Sequence, residues 1–350
     1  MRLLRTLSAL TLSTIMACSD GTQPMTDDID TLMRAYAGDG PGAAVLVLKN
    51  GEPLARRSYG YANLELHERV TPATSFRLAS VSKQFTGAAV LQLVEGGKLV
   101  LADSVRKWLP SLPDVTAPIT IRHLLTHTSG LIDYEDVITT ATSGQLHDAD
   151  VLTLLEDQTQ LYFEPGSSYR YSNSGYALLA LIVEKVSGQS FAQFLAARIF
   201  EPLQMQGTVA YEAGRSTVKH RAFGYSESDG RWTRTDQSQT SAVLGDGGIY
   251  SSIDDLAKWD AALYDERLLT AASLQAAFTP ATRTDDPNVD YGFGWRITGE
   301  TLWHSGETIG FRNVIVRYPQ QRLTVIMLTN RNDPEPYATA LEIAKHYLER

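Results

Sequence analysis

At 350 residues the chain is longer than one hydrophobic core usually fills, so a two-lobed unit or two domains is expected. A hydrophobic content of 43% with 20% charged residues describes a globular chain and argues against disorder. The net charge of −9, with no basic run, argues against a nucleic-acid partner, because phosphate binding needs clustered Lys and Arg.

In chain order, residues 1–17 carry Arg2 and Arg5, an apolar stretch too short to span a bilayer, and then small residues, the pattern of a secretory signal. Cys18, the single cysteine of the chain, follows "TIMA" directly. An unpaired cysteine in an exported protein calls for an explanation, and this position resembles the lipobox of bacterial lipoproteins, whose acylated thiol anchors the chain to a membrane. Ser19, in place of Asp, points by the same resemblance to the outer membrane. Residues 18–27 are expected to form a polar tether, with the catalytic unit at 28–350.

"DIDTLMRAYAG" predicts a short amphipathic helix, and "AAVLVLKNGEPLARRSYG" two strands joined by a turn at Asn50 and Gly51. The stretch "LASVSKQFT" (78–86) opens a helix that stops at Gly96 and Gly97, which makes Ser80 a candidate N-cap. A cap serine usually has Glu or Gln three residues on, and here the residue is Lys83. The two side chains share a helical face, at a helix end that disfavours a cation, so Lys83 can serve as a base beside a Ser80 nucleophile; taken alone, SxxK reads first as a cap serine followed by a surface lysine. Ser82, two residues from Ser80, points to a different face and reads as structural.

"IRHLLTHTSG", "DADVLTLLED", "SGYALLALIVEKVSG" and "SFAQFLAARIFEPL" then predict a mainly helical lobe over 100–235. "YSESDGRWTRTDQSQT" (225–240) reads as a long polar loop. "YGFGWRI", "TLWHSG", "FRNVIVRYP" and "RLTVIMLTN" predict consecutive strands before a final helix from about Glu335. The sheet lobe would therefore combine 28–99 with 236–350: an α/β (α+β) fold, with an antiparallel sheet flanked by helices and interrupted by the helical lobe. His123 and His127 in "HLLTH" have the spacing of a metal pair. The glutamate of HExxH is missing and spacing supplies no third ligand, so they read as structural rather than as a zinc site.

Between the lobes, "YSN" places Tyr171 and Asn173 before a helix, and "HSG" places His304, Ser305 and Gly306 on a strand. Tyr171 by itself is equally a core tyrosine, and Asn173 a cap or a substrate contact. In the order SxxK, YxN, HxG, with "RHLLTHTSGL", "FEPGSSYRYSNSGYALLALIVEKVSG" and "GDGGIYSSIDDLAKW" between them, the chain resembles the serine β-lactamase and penicillin-binding protein superfamily. The resemblance covers nearly the whole mature chain and is to the branch holding class C β-lactamases, DD-peptidases, D-aminopeptidases and esterases.

That resemblance implies a β-lactamase/transpeptidase-like fold, no cofactor, and acyl transfer through a Ser80 ester. Lys83 with Tyr171 would act as base, Asn173, His304, Ser305 and Gly306 would contact substrate, and the backbone N–H groups of Ser80 and Glu307 would hold the oxyanion. Glu164 is not matched to the deacylating glutamate of class A enzymes, because its surroundings are those of the other branch. His304 departs from the lysine of β-lactamases; a mostly neutral side chain there argues against efficient β-lactam hydrolysis. The expected activity is a carboxylesterase or D-Ala-D-Ala carboxypeptidase on a small ester, amide or D-amino peptide in the bacterial envelope. A class C-like β-lactamase and a non-turnover penicillin sensor are the alternatives.

Overall fold

The computed structural model describes residues 26–139 and 144–349. The expected signal and the Cys18 lipidation site lie outside the described residues, as does the tether up to residue 25. The last two tether positions belong to helix α1 (Thr26–Leu32), which begins earlier than its apolar pattern indicates.

Burial of period two builds the main sheet. In β1 (Ala43–Lys49), Ala44, Leu46 and Leu48 face one side and Ala43, Val45 and Val47 the other, and both sets are buried. A strand that is apolar on both faces has to be covered on both. Asn50 and Gly51, at φ 55° and 83°, close the turn to β2 (Glu52–Tyr59), since a two-residue hairpin of this kind needs positive φ at both positions. The remaining strands are β3 (Thr282–Arg283), β4 (Asp290–Tyr291), β5 (Arg296–Thr298), β6 (Thr301–Thr308), β7 (Phe311–Tyr318) and β8 (Leu323–Thr329). All pair antiparallel in the order β3-β4-β5-β6-β7-β8-β1-β2, so the first hairpin meets the last strands through β1 and β8.

One face of this sheet is covered by the segment around α1 and by the C-terminal helix, through Ile29, Met33, Ala340, Ile343 and Ala344. Each large aliphatic side chain removed from water there contributes about 1.5–3 kcal/mol. The other face packs on α2 (Lys83–Glu95), and one continuous apolar cluster runs from it into α3 (Asn173–Ser187) and α4 (Ile253–Ala262). The helical part and the sheet therefore share a core, and polar side chains meet at its edge. Among the described residues no helix is long and apolar enough to cross a membrane.

The stretch 225–240 differs from its reading as a loop. Tyr225–Ser228 pairs with Arg231–Arg234 around Asp229 and Gly230, at φ 52° and 74°. Asp-Gly is itself a hairpin signal. The flanking strands are mostly exposed, so no apolar alternation marks them and hydrophobic patterning misses them.

Candidate active site

The nucleophile turn is held in a strained shape. Ala79 has φ 51°, which costs a non-glycine residue about 1–3 kcal/mol, and Ala79–Ser82 form a single 3-10 turn that runs straight into α2. Ser80 is thus inside the helical run and not its N-cap, contrary to the sequence expectation, because the run starts one residue before it. Ser82 stands at the start of α2, fully buried, and its Oγ accepts the Ile249 N–H at 3.3 Å. With the Leu78 N–H donating to Ile249 O at 2.8 Å, the turn is pinned at both ends. The hydroxyl of Ser80 is left for chemistry.

Lys83 is fully buried, and its Nζ donates to Asn173 Oδ1 and Asp246 O, each at 2.8 Å, and meets Ser80 Oγ at 3.1 Å. The amide and carbonyl oxygens accept only, so two N–H bonds go to them and the third direction faces the Ser80 hydroxyl. In the neutral amine that direction is the lone pair, the geometry of a base beside its nucleophile. Asn173 is the first residue of α3 and Ser172 is its cap, accepting the Gly175 N–H. Asp133 Oδ2 adds a bond from Asn173 N at 2.6 Å. The Asn173 side chain is therefore free to hold Lys83, and the cap role falls to its neighbours.

Tyr171 lies over Lys83, whose Nζ is 4.9 Å from the ring centroid. Its hydroxyl is buried and finds no hydrogen-bond partner among the described residues, so it is available to a substrate. Beneath it lies His127, its ring centroid 4.3 Å away, with Nδ1 accepting the Ser172 N–H. His127 thus positions the YSN loop. Burial first, then the charge of Lys83, pushes its pKa well below the ordinary value. His123 Nδ1 accepts the Thr120 N–H as part of a helix cap.

His304 lines the cavity with both ring nitrogens engaged. Nδ1 donates to Ser305 O at 2.6 Å, and Nε2 accepts from the Tyr291 hydroxyl at 2.9 Å. Burial, followed by the charges of Arg296 and Lys83, holds its pKa well below the usual imidazole range, so it stays neutral near pH 7. The cation missing from the HSG motif comes from the adjacent strand. Arg296, opposite Trp303 in register, places its guanidinium 5.5 Å from the Tyr171 ring centroid, and its Nε is buried with no hydrogen-bond partner among the described residues.

Strand β6 runs alongside the nucleophile turn at its HSG motif. A Cβ on Gly306 would lie 2.1 Å from Leu78 O and 3.2 Å from Ser80 N, so only glycine lets the strand approach. This contact brings the HSG strand against the backbone of the nucleophile turn at Leu78 and Ser80. The Glu307 carboxylate pairs with Arg312, and both residues line the cavity. A cavity of about 670 Å³ opens over Ser80, Tyr171, Asn173, Ser305 and Glu307. Hydroxyl and amide side chains of Ser226, Ser238, Thr240 and Asn332 form its far wall, so the unexpected hairpin supplies part of the site. Glu135 lines it as well, beside Asn173. Glu164 lies outside this lining.

Sequence reasoning missed Arg296 and Glu135 as site residues. The register of β5 against β6 would have revealed the first, since it puts Arg296 beside the strand carrying HSG. Glu135 sits in an acidic run, "DYED", that by composition looks like an exposed turn.

A buried lysine on a serine hydroxyl, with a tyrosine above them, fits a serine acyl-transfer site. The sequence profile described as Beta-lactamase matches residues 26–348, and the chain belongs to that family of β-lactamase-fold serine hydrolases. It is 35% identical to a penicillin-binding protein of Bacillus subtilis strain 168 over 328 residues, covering 87% of this chain and 71% of that protein. It is 31% identical to a D-aminopeptidase of Gluconobacter oxydans over 325 residues, 87% of this chain but 58% of the relative. An octameric penicillin-binding protein homologue from Pyrococcus abyssi superposes with a TM-score of 0.82 at 28% identity, over 93% of this chain and 77% of that one.

Proposed function

We propose that the chain hydrolyses amide bonds of short D-amino peptides, cutting ahead of a residue whose carboxylate is free. Ser80 Oγ bonds to the carbonyl carbon and passes its proton to Lys83; the C–N bond breaks, and the amine leaves with a proton returned through Lys83 and Tyr171. Water then releases the acyl group by the reverse path. The observation that carries this reading is Arg296, a guanidinium in the cavity wall next to Tyr171 with a buried, unpaired Nε, suited to a carboxylate. The polar far wall favours a peptide over a fatty acyl ester, and the D-aminopeptidase relative acts in the same class.

Arg296→Gln is expected to raise KM for a D-Ala-D-Ala peptide by about 10- to 100-fold, the worth of one charge-assisted pair, and to leave KM for its C-terminal amide little changed. Equal turnover of the acid and the amide by the wild type, or faster turnover of an uncharged ester or a cephalosporin, would overturn the proposal.

The work is assigned to the bacterial envelope, reached by the signal and held by acylated Cys18. In a bacterial host, Cys18→Ser is expected to move the protein from the membrane to the soluble fraction. Retention on the membrane would sink the anchor.

A further inference from the structure

Beside Lys83 lies a buried carboxylate, that of Asp246, on the short helical turn Leu244–Gly247. The backbone oxygen of Asp246 accepts from Lys83 Nζ at 2.8 Å, so this turn helps to fix where the base stands. The turn is itself clamped from three sides. Asp148 accepts the Leu244 and Gly245 N–H groups, each at 2.9 Å, and Thr86 of α2 donates to Gly245 O at 2.7 Å. A Cβ on Gly245 would lie 2.2 Å from Tyr176 O, so the turn also sits directly on α3. Asp246 is thus held in a fixed relation to Lys83.

The carboxylate itself is short of partners. Its one hydrogen bond among the described residues comes from the Tyr134 hydroxyl, at 2.8 Å to Oδ2. Asp246 is only 6% exposed, at the edge of a polar cavity of about 40 Å³ that Ser80, Arg77 and Asn173 also line. An ionised carboxyl with one neutral donor in so dry a place depends on a nearby cation. Two face it, Lys83 from α2 and Arg77 from the segment before the nucleophile turn, both buried. Arg77 commits its Nη groups to Ser241 and Thr308, and the Lys83 charge acts more strongly on the carboxyl. The other titratable groups around it are Tyr134 and Glu135 of one turn, Asp148, and Tyr176 of α3, none of them a cation.

We infer that Asp246 is a positioning residue for the base: its carboxylate stabilises the ammonium that Lys83 becomes on taking the Ser80 proton. As Ser80 Oγ bonds to the carbonyl carbon, its proton moves to the Nζ lone pair, and Asp246 stays ionised and forms no bond. The anion helps the transition state more than the ground state, because the amine is neutral before the transfer and positive after it. The inference rests on Lys83 as the proton acceptor in the reading above and holds whichever ester or amide is cut. Burial pushes the Asp246 carboxyl up to about 7 against the opposing charge of Lys83, with Asp148 adding to the rise. Carboxyl and amine are therefore coupled, and the pH dependence of the rate belongs to the pair. The competing role is that Asp246 merely anchors Tyr134.

The rate at which a fluorophosphonate labels Ser80 isolates this proton transfer, since fluoride leaves without a proton. Measured between about pH 5 and pH 9, the wild-type rate should rise along one limb and then level off. Asp246→Asn keeps the shape and can still accept from Tyr134. It is expected to lower the plateau about 10- to 100-fold and to move the limb toward lower pH, because an amine without its anion holds a proton less tightly. Tyr134→Phe leaves the carboxylate but removes its donor, and is expected to move the limb toward higher pH. If Asp246 only anchors Tyr134, both variants lose rate at every pH, neither moves the limb, and the inference is overturned. An unchanged plateau, or a limb unmoved or moved to higher pH, in a folded Asp246→Asn overturns it as well. Should that variant fail to fold, the direction in Tyr134→Phe decides alone, and a limb unmoved or moved to lower pH there overturns the inference. Lys83→Met tests the reading beneath it: labelling as fast as in the wild type would show that another group takes the proton, a failure distinct from that of Asp246.

Discussion

Lys83→Ala is expected to lower kcat/KM by about 10²–10⁴-fold on any substrate the enzyme accepts, the range for loss of a general base. Three contacts leave at once. The Ser80 hydroxyl loses the group that takes its proton, while Asn173 Oδ1 and Asp246 O lose their donor. Each buried acceptor left unpaired costs about 1–3 kcal/mol, so a fall in melting temperature should accompany the loss of rate. Lys83→Met, which fills the volume, separates the two effects: the base is gone while the core stays packed. Ser80→Ala should be more severe still and should end labelling by a serine-directed phosphonate. Persistent labelling at Ser82 would refute the nucleophile assignment, and Ser82 is buried with its oxygen on Ile249. A mild Lys83 effect in stopped-flow acylation would show that another group takes the proton.

Gly306→Ala has the second-largest expected effect, through distance alone. A Cβ 2.1 Å from Leu78 O cannot be accommodated by side-chain rotation, because the obstructing atom is backbone. Strand β6 has to move off the nucleophile turn, and the Glu307 N–H moves with it. Loss of one oxyanion donor costs about 10²–10³-fold in kcat, and a drop of this size is the expected result where the Glu307 N–H is that donor. Glu307→Ala keeps the backbone N–H and removes a partly exposed ion pair at the cavity mouth, so its kcat should stay within about threefold. Comparable losses in the two variants would mean that the Glu307 carboxylate, not its amide, does the work.

Several elements were legible before any coordinates because each is written locally. Asn50-Gly51 specifies its turn by the φ values it tolerates, and the apolar runs of β1, β7 and β8 announce strands buried on both faces. Terminal helices were expected on one face of the sheet, and they lie there. Asp229-Gly230 was equally local, and it was passed over because the polar strands around it carry no apolar period.

The site divides along the same line. The motifs in chain order, through the family resemblance they carry, pointed to the serine, lysine, tyrosine and glycine, and SxxK needs only one helical turn to bring its two side chains together. Where Ser80 stands in that turn was misjudged, because the start of the helical run is set by Leu78 and Ser82 bonding to Ile249, about 170 residues away. His304 shows the same limit. Its residue type forecasts a mostly neutral side chain near neutrality, and only the fold shows that burial against Tyr291 and beside Arg296 holds it neutral well below that. Arg296 and Glu135 belong to the site only because strand register and the start of α3 bring them there. The SxxK pair, one helical turn apart, was thus written in the sequence itself, whereas the placing of Arg296 and Glu135 in the cavity wall depends on contacts with distant neighbours, and only the tertiary structure decided it.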